Sequence, residues 1–170
     1  MRAAHILESA LSSTGGTVTA VLEALTGEML EADRIAQAAS RATISNGLKV
    51  AGGHPVICRT AILRGRSSGR GYLYAETLLV PDRLPPGVSH RLESTTDPIG
   101  RVLAARGFVM RRTVLGTPDR TPSVISLAPE NSVEAAIYAR RYLVESCGVP
   151  VMLIDEWFLP DLRDAVLRTG

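Results

Sequence analysis

The stretch Pro55-Val56-Ile57-Cys58-Arg59-Thr60-Ala61-Ile62-Leu63 is a short apolar run rich in β-formers. Arg64-Gly65-Arg66-Ser67-Ser68-Gly69-Arg70-Gly71 follows and has the composition of a turn. A second β run, Tyr72 to Val80, is stopped by Pro81. Together they read as an antiparallel hairpin with a long Gly/Ser-rich connection. This hairpin sets the fold class, because its flanking segments have to pack on an antiparallel sheet.

Toward the N-terminus, Leu7, Leu11, Val18, Val21, Leu22, Leu25, Met29 and Leu30 recur at spacings of three and four, which predicts helices. Ser12-Ser13-Thr14-Gly15-Gly16 breaks the pattern, and Thr17 is placed to cap the second helix. The Ala-rich segment Asp33 to Thr43 reads as continued helix or as loop. Toward the C-terminus, Pro98-Ile99-Gly100 opens a short helical pattern, with Asp97 as its expected N-cap and Gly107 as its stop. Val109 to Leu115 reads as a strand, Thr117 to Asn131 as turns, and Ala135 to Val144 as either helix or strand. Val149 to Ile154 is the most β-rich stretch and closes in Asp155-Glu156-Trp157-Phe158-Leu159-Pro160, before a short helix over Asp161 to Arg168. Helices first and strands afterwards predict an α+β fold, an antiparallel β-sheet with helices packed on it.

The chain has 170 residues, which fits a single domain spanning 1–170. Apolar residues make up 45 %, enough to exclude global disorder. The net charge of +2 provides no field for a phosphate backbone, so no nucleic-acid partner is expected. Cys58 and Cys147 are too few for a disulfide framework or a zinc site and read as buried small hydrophobes in a reducing cytosol. No apolar run approaches the length of a membrane span, and the N-terminus leads into no long apolar segment. A soluble cytoplasmic domain without membrane attachment is expected.

Phosphate-cradling, dinucleotide-binding and zinc-protease motifs are absent, as is the G-x-S-x-G elbow, so neither a metal nor a cofactor is expected. His5, His54 and His90 are scattered and read as surface or loop residues. What remains are polar residues inside apolar strands. Arg59 either points to solvent from the open face of the sheet, the default for an alternating strand, or is desolvated and needs an anion. Glu156 lies between an apolar run and Trp157-Phe158-Leu159. Desolvation there disfavours the charged form and suits acid–base work, but Glu156 reads equally well as an ordinary strand-end carboxylate. The amides at Ile99 and Gly100 are an anion site or a plain helix start. Glu76 could be an exposed cross-strand partner of Arg59.

Three segments in order resemble the chorismate lyase (chorismate pyruvate-lyase) family. The first is Arg59 in its apolar strand, followed by Ala75-Glu76-Thr77-Leu78-Leu79-Val80-Pro81. The second is Asp97-Pro98-Ile99-Gly100-Arg101-Val102-Leu103. The third is Arg140-Arg141-Tyr142 and then Gly148 to Pro160, similar to the family's closing G-x-P-(apolar)-E-x-F-L-P. The resemblance implies an enclosed ligand pocket and the cofactor-free conversion of chorismate to 4-hydroxybenzoate and pyruvate. By position, Arg59 would bind the ring carboxylate with help from the backbone at Ile99 and Gly100. Glu156 would lie where the enolpyruvyl ether leaves. Glu76 stands where some members carry Arg, so it is a candidate substrate-contacting residue. It also favours an alternative, a related enzyme of secondary metabolism acting on another carboxylate-bearing substrate. A third reading is a non-catalytic effector-binding module like the UTRA domains, which share the fold. In each reading the partner is a small-molecule carboxylate, and the oligomeric state is left open.

Overall fold

A computed structural model describes residues 2–13, 16–44, 46–122 and 135–169. The predicted hairpin is present as strands β2 (Pro55–Gly65) and β3 (Gly71–Leu79), paired antiparallel. Around it lie β1 (Leu30–Arg41), β4 (Arg111–Gly116), β5 (Tyr138–Ser146) and β6 (Val149–Phe158), forming an antiparallel sheet in the order β1-β2-β3-β6-β5-β4. Helices α1 (Arg2–Ser13) and α2 (Val18–Thr26) precede the sheet. Helices α3 (Val88–Ser94) and α4 (Ile99–Ala104) connect β3 to β4, and α5 (Arg163–Thr169) ends the chain. The architecture is α+β, as the sequence pattern implied.

Alternation along the strands creates two faces. On one, Arg59, Ala61 and Leu63 of β2 lie opposite Thr77, Ala75 and Leu73 of β3, which in turn face Ile154, Glu156 and Phe158 of β6. This face is covered by helices. Leu7, Val18, Leu22 and Val166 of α1, α2 and α5 pack on Leu63, Leu73 and Phe158. Val88 and Leu92 of α3, with Val102 and Leu103 of α4, pack on Leu79, Met152 and Ile154. The opposite face carries two further apolar clusters, one around Leu48, Val56 and Val80, the other around Ile62, Tyr74 and Trp157.

The β5–β6 register is set at the turn. Cys147 and Gly148 both have positive φ, 50° and 77°, the conformation of a two-residue hairpin turn whose twist matches the strands. A bulge between Val144 and Glu145 follows, where Val151 is left without a direct partner and Pro150, which has no N–H to donate, is tolerated.

Several expectations are corrected. Asp33 to Thr43 is neither helix nor loop for most of its length: residues 30–41 form β1, because pairing along β2 outweighs the helical preference of its alanines. Met29 and Leu30 accordingly lie outside the helices. Ala135 to Val144, left open between helix and strand, is largely β5. Thr117 to Asn131 is described only to Pro122, and its remainder lies outside the described residues. Thr17 caps α2 through a 3.2 Å bond from the Ala20 amide, as expected, whereas α4 is capped at Pro98 and not at Asp97. Both cysteines are exposed: Cys58 points away from the helix-covered face, and Cys147 occupies the hairpin turn. None of the helices formed by described residues is long and apolar enough to cross a membrane.

Asp97 instead ties α3 to the start of α4. Its Oδ2 accepts from Arg91 Nη2 at 2.7 Å and Nε at 3.1 Å, and from Thr95 Oγ1 at 3.3 Å. The Arg91 bonds hold its carboxyl below the usual carboxylate range, against a smaller desolvation cost. Arg91 is half exposed, so screening limits the pair to about 0.5–1 kcal/mol. A depressed folded pKa gives stability that is present above the unfolded value of about 3.9 and lost as pH falls through the folded one. Asp97→Asn should therefore unfold at lower urea than the parent at pH 7, and the gap should be smaller at an acidic pH below the unfolded value of about 3.9. An equal gap at both pH values would rule out this linkage.

Candidate active site

Strand β6 carries two adjacent carboxylates, and the pleat sends them to opposite faces. Each meets its own arginine across the β5 pairing, Asp155 opposite Arg141 and Glu156 opposite Arg140. Glu156, on the helix-covered face, is 3 % exposed and Arg140 is 6 % exposed. Arg140 Nε donates to Glu156 Oε2 at 2.8 Å, and the Tyr142 hydroxyl donates to Oε1 at 2.8 Å. The guanidinium also lies over the rings of Tyr142 and Phe158, 4.8 and 5.7 Å from their centroids. Burial opposes the charge of Arg140, but Glu156 and then Tyr142 outweigh it and raise its pKa. Burial first, and then the charge of Glu156, push the Tyr142 hydroxyl well above its usual value, so it remains a donor. Glu156 is thus an ion-paired carboxylate with both oxygens engaged, and not the isolated acid that its apolar sequence neighbours suggested.

Arg59 lies on the same face and is 4 % exposed, so the solvent-facing default fails for it. Strand β1 and helix α3 cover it. Its Nη1 donates to Gln37 Oε1 and to the Leu92 carbonyl, each at 2.9 Å. These bonds fix the side chain's direction.

Arg59 and Glu156 line one cleft between the sheet and the helices, together with Tyr142, Thr77, Ile99 and Gly100. Its volume of about 70 Å³ is several times the ~10–15 Å³ that one water needs, so it is a hollow and not a packing defect. Ile99 and Gly100 are the first residues of α4, ahead of its first hydrogen bonds, which run from Arg101 and Val102 to the Pro98 carbonyl. A Cβ on Gly100 would come within 3.1 Å of the Thr17 side chain, so glycine lets α4 approach the start of α2.

Glu76 is not among these residues. It pairs with Thr60 and Asp155 across the sheet, not with Arg59, and it is buried on the opposite face. There it accepts from the Tyr74 hydroxyl at 2.7 Å and from Arg120. Asp155 joins it, accepting from Arg120 Nη2 at 2.8 Å and from Arg141 at 2.7 and 3.0 Å. The sequence reading missed Arg140 and Tyr142 as partners of Glu156, and it missed Arg112, which also lines the cleft. Alternation in Arg140-Arg141-Tyr142 marks Arg140 and Tyr142 as facing one way, but only the register names their partner. Among the described residues, no group of three or more His, Cys, Asp or Glu side chains is arranged to hold a metal ion.

A family model described as chorismate pyruvate-lyase Rv2949c-like matches residues 12–166. The chain belongs to this family. The protein named chorismate pyruvate-lyase in Mycobacterium tuberculosis (strain H37Rv) is 33 % identical over 162 residues, covering 91 % of this chain and 81 % of its own length. The Mycobacterium leprae protein of that name is 29 % identical over 154 residues, covering 88 % and 72 %. Among solved structures, PhnF from Mycobacterium smegmatis superposes with a TM-score of 0.57 at 17 % identity, over 88 % of this chain and 66 % of its own. The effector domain of PhnF gives a TM-score of 0.55 at 18 % identity, over 86 % and 90 %. At such identities the likeness is one of fold, here that of the UTRA domains of GntR-type regulators.

Removing one partner of a buried pair leaves the other charge uncompensated. Arg140→Leu should destabilise the chain by about 3–5 kcal/mol in denaturant unfolding. Adding Glu156→Gln should recover part of that loss. A double variant as unstable as the sum of the singles would mean that the two side chains do not interact.

Proposed function

We propose that this chain is a cofactor-independent lyase that eliminates pyruvate from chorismate to give 4-hydroxybenzoate. The observation that carries the reading is one cleft holding a buried arginine from β2 and a buried carboxylate from β6, in a chain whose curated relatives bear the name of that activity. In this reaction the ether C–O bond breaks, the neighbouring ring carbon loses its proton, and the ring becomes aromatic. The proton count closes because the departing enolpyruvate takes up one proton as it becomes pyruvate. Aromatisation supplies the driving force, so the protein has to orient the ring and move one proton.

Arg59 is assigned to the ring carboxylate, since its planar fork suits a planar anion. The Ile99 and Gly100 amides at the start of α4 are assigned as further donors to it. Glu156 is assigned to the proton transfer at the ether end, held in place by Arg140 and Tyr142. Glu76 is given no role: it lies behind the sheet and is ion-paired to Arg120, so it does not repel an anion in the cleft. The fold shared with regulator effector domains favours a second reading, binding of a small carboxylate without turnover.

Incubation with chorismate, following 4-hydroxybenzoate and pyruvate, tests the first reading. Equimolar appearance of both is expected. Glu156→Gln should lower kcat by about 10²–10⁴-fold while 4-hydroxybenzoate still binds. A parent chain that binds 4-hydroxybenzoate and turns nothing over would favour the effector reading. Arg59→Ala should weaken 4-hydroxybenzoate binding by about 2–4 kcal/mol in calorimetry. An unchanged Kd would remove Arg59 from the site.

A further inference from the structure

The assignments above leave one cation in the cleft unused. Arg112 lies on β4, the edge strand beyond β5, opposite Val144. Arg111 before it and Thr113 after it are exposed, whereas Arg112 is half-buried and lines the cleft. Its Nη1 donates to the Gly16 carbonyl at 3.0 Å, just ahead of the cap of α2. That bond fixes the side chain but does not neutralise it, because a carbonyl carries no net charge and a guanidinium has five N–H donors.

Most arginines near the sheet and its helices are compensated. Arg140 holds Glu156, Arg141 holds Asp155, Arg120 holds Glu76 and Asp155, and Arg101 holds Glu23. Among the described residues, no ion pair gives Arg112 a carboxylate. The charged side chains that line the cleft are Arg59, Arg112 and Glu156, and Arg140 balances Glu156 from behind. Arg112 therefore brings to the cleft a positive charge that no described carboxylate balances, a charge suited to an anionic group of a ligand.

Strand order gives these groups a sequence in space. Arg59 is on β2, Glu156 on β6 and Arg112 on β4, so the carboxylate lies between the two cations in the order β2-β3-β6-β5-β4. Arg112 lies level with Val144 and Met152, and its charge acts weakly on the Tyr142 hydroxyl, the donor to Glu156, against the larger effects that raise it. Chorismate has the same order of groups: a ring carboxylate, the scissile ether, and a second carboxylate on the enolpyruvyl group.

We propose that Arg112 is the specificity-determining residue for the second carboxylate, holding the enolpyruvyl end of a dianionic substrate while Arg59 holds the ring end. This rests on the lyase reading. It assigns the two products to different arginines, pyruvate to Arg112 and 4-hydroxybenzoate to Arg59. It also separates substrate from product recognition, since only the substrate spans both cations.

The test compares Arg112→Gln and Arg112→Lys with the parent, using three ligands: chorismate, 4-hydroxybenzoate with one carboxylate, and 3-[(1-carboxyvinyl)oxy]benzoate. The last is already aromatic, so it keeps both carboxylates and cannot react. For Arg112→Gln, kcat/KM for chorismate and affinity for the unreactive dicarboxylate should both fall by about 10- to 100-fold. The Kd for 4-hydroxybenzoate should move less than about threefold, which also reports an intact cleft, and Arg112→Lys should recover part of the loss. Equal losses for the mono- and dicarboxylate in both variants would show a merely structural role and overturn the proposal, as would no loss for either ligand. If the parent turns over chorismate and Arg112→Gln matches it, the assignment of Arg112 falls alone. If the parent does not turn over chorismate yet binds the dicarboxylate only with Arg112 present, the lyase reading falls and Arg112 keeps its role.

Discussion

The buried pair of Arg140 and Glu156 is the constraint on which the rest depends. A carboxylate with 3 % exposure is tolerated only when its charge is matched and its lone pairs are used. Arg140 supplies the charge and Tyr142 the second hydrogen bond. Both come from one strand, two residues apart, so a single register fixes both. That register is pinned by the Cys147-Gly148 turn and by the bulge near Pro150. A slip of one residue would turn every side chain of β5 to the other face and bring Arg140 against the apolar cluster around Trp157.

The same parity rule doubles the arrangement. Asp155 and Arg141 form the matching pair on the far side of β5 and β6, joined there by Arg120 and Glu76. One side of the sheet carries a largely satisfied ion network. The other carries a cleft in which Arg112 has no described carboxylate. This division keeps Asp155 and Glu76 out of the cleft: they are held on the far side by their own arginines.

The fold itself does not choose between catalysis and binding. PhnF and its effector domain match this chain with TM-scores of 0.57 and 0.55 at under 20 % identity, a likeness of fold alone. What distinguishes a lyase is chemistry placed on that frame. Here Arg59, Arg112 and Glu156 line one cleft, in a chain that belongs to the chorismate pyruvate-lyase family.

Much of this was legible in the sequence. The 55–80 hairpin and the Thr17 cap were readable because turn chemistry and capping act over a few residues. Arg59 and Glu156 stood out because a charge inside an apolar run needs a reason. β1 was misread because its alanines carry no β signal of their own, and only pairing with β2 makes them a strand. Glu76 and Arg59 could not be sorted by the same means. Alternation says that residues of one strand face opposite ways, but which way is covered depends on helices more than 30 positions away, such as α3 over Arg59. The roles of Arg140, Tyr142 and Arg112 were likewise decided by tertiary structure, since a partner across a strand pair is set by register and not by distance along the chain.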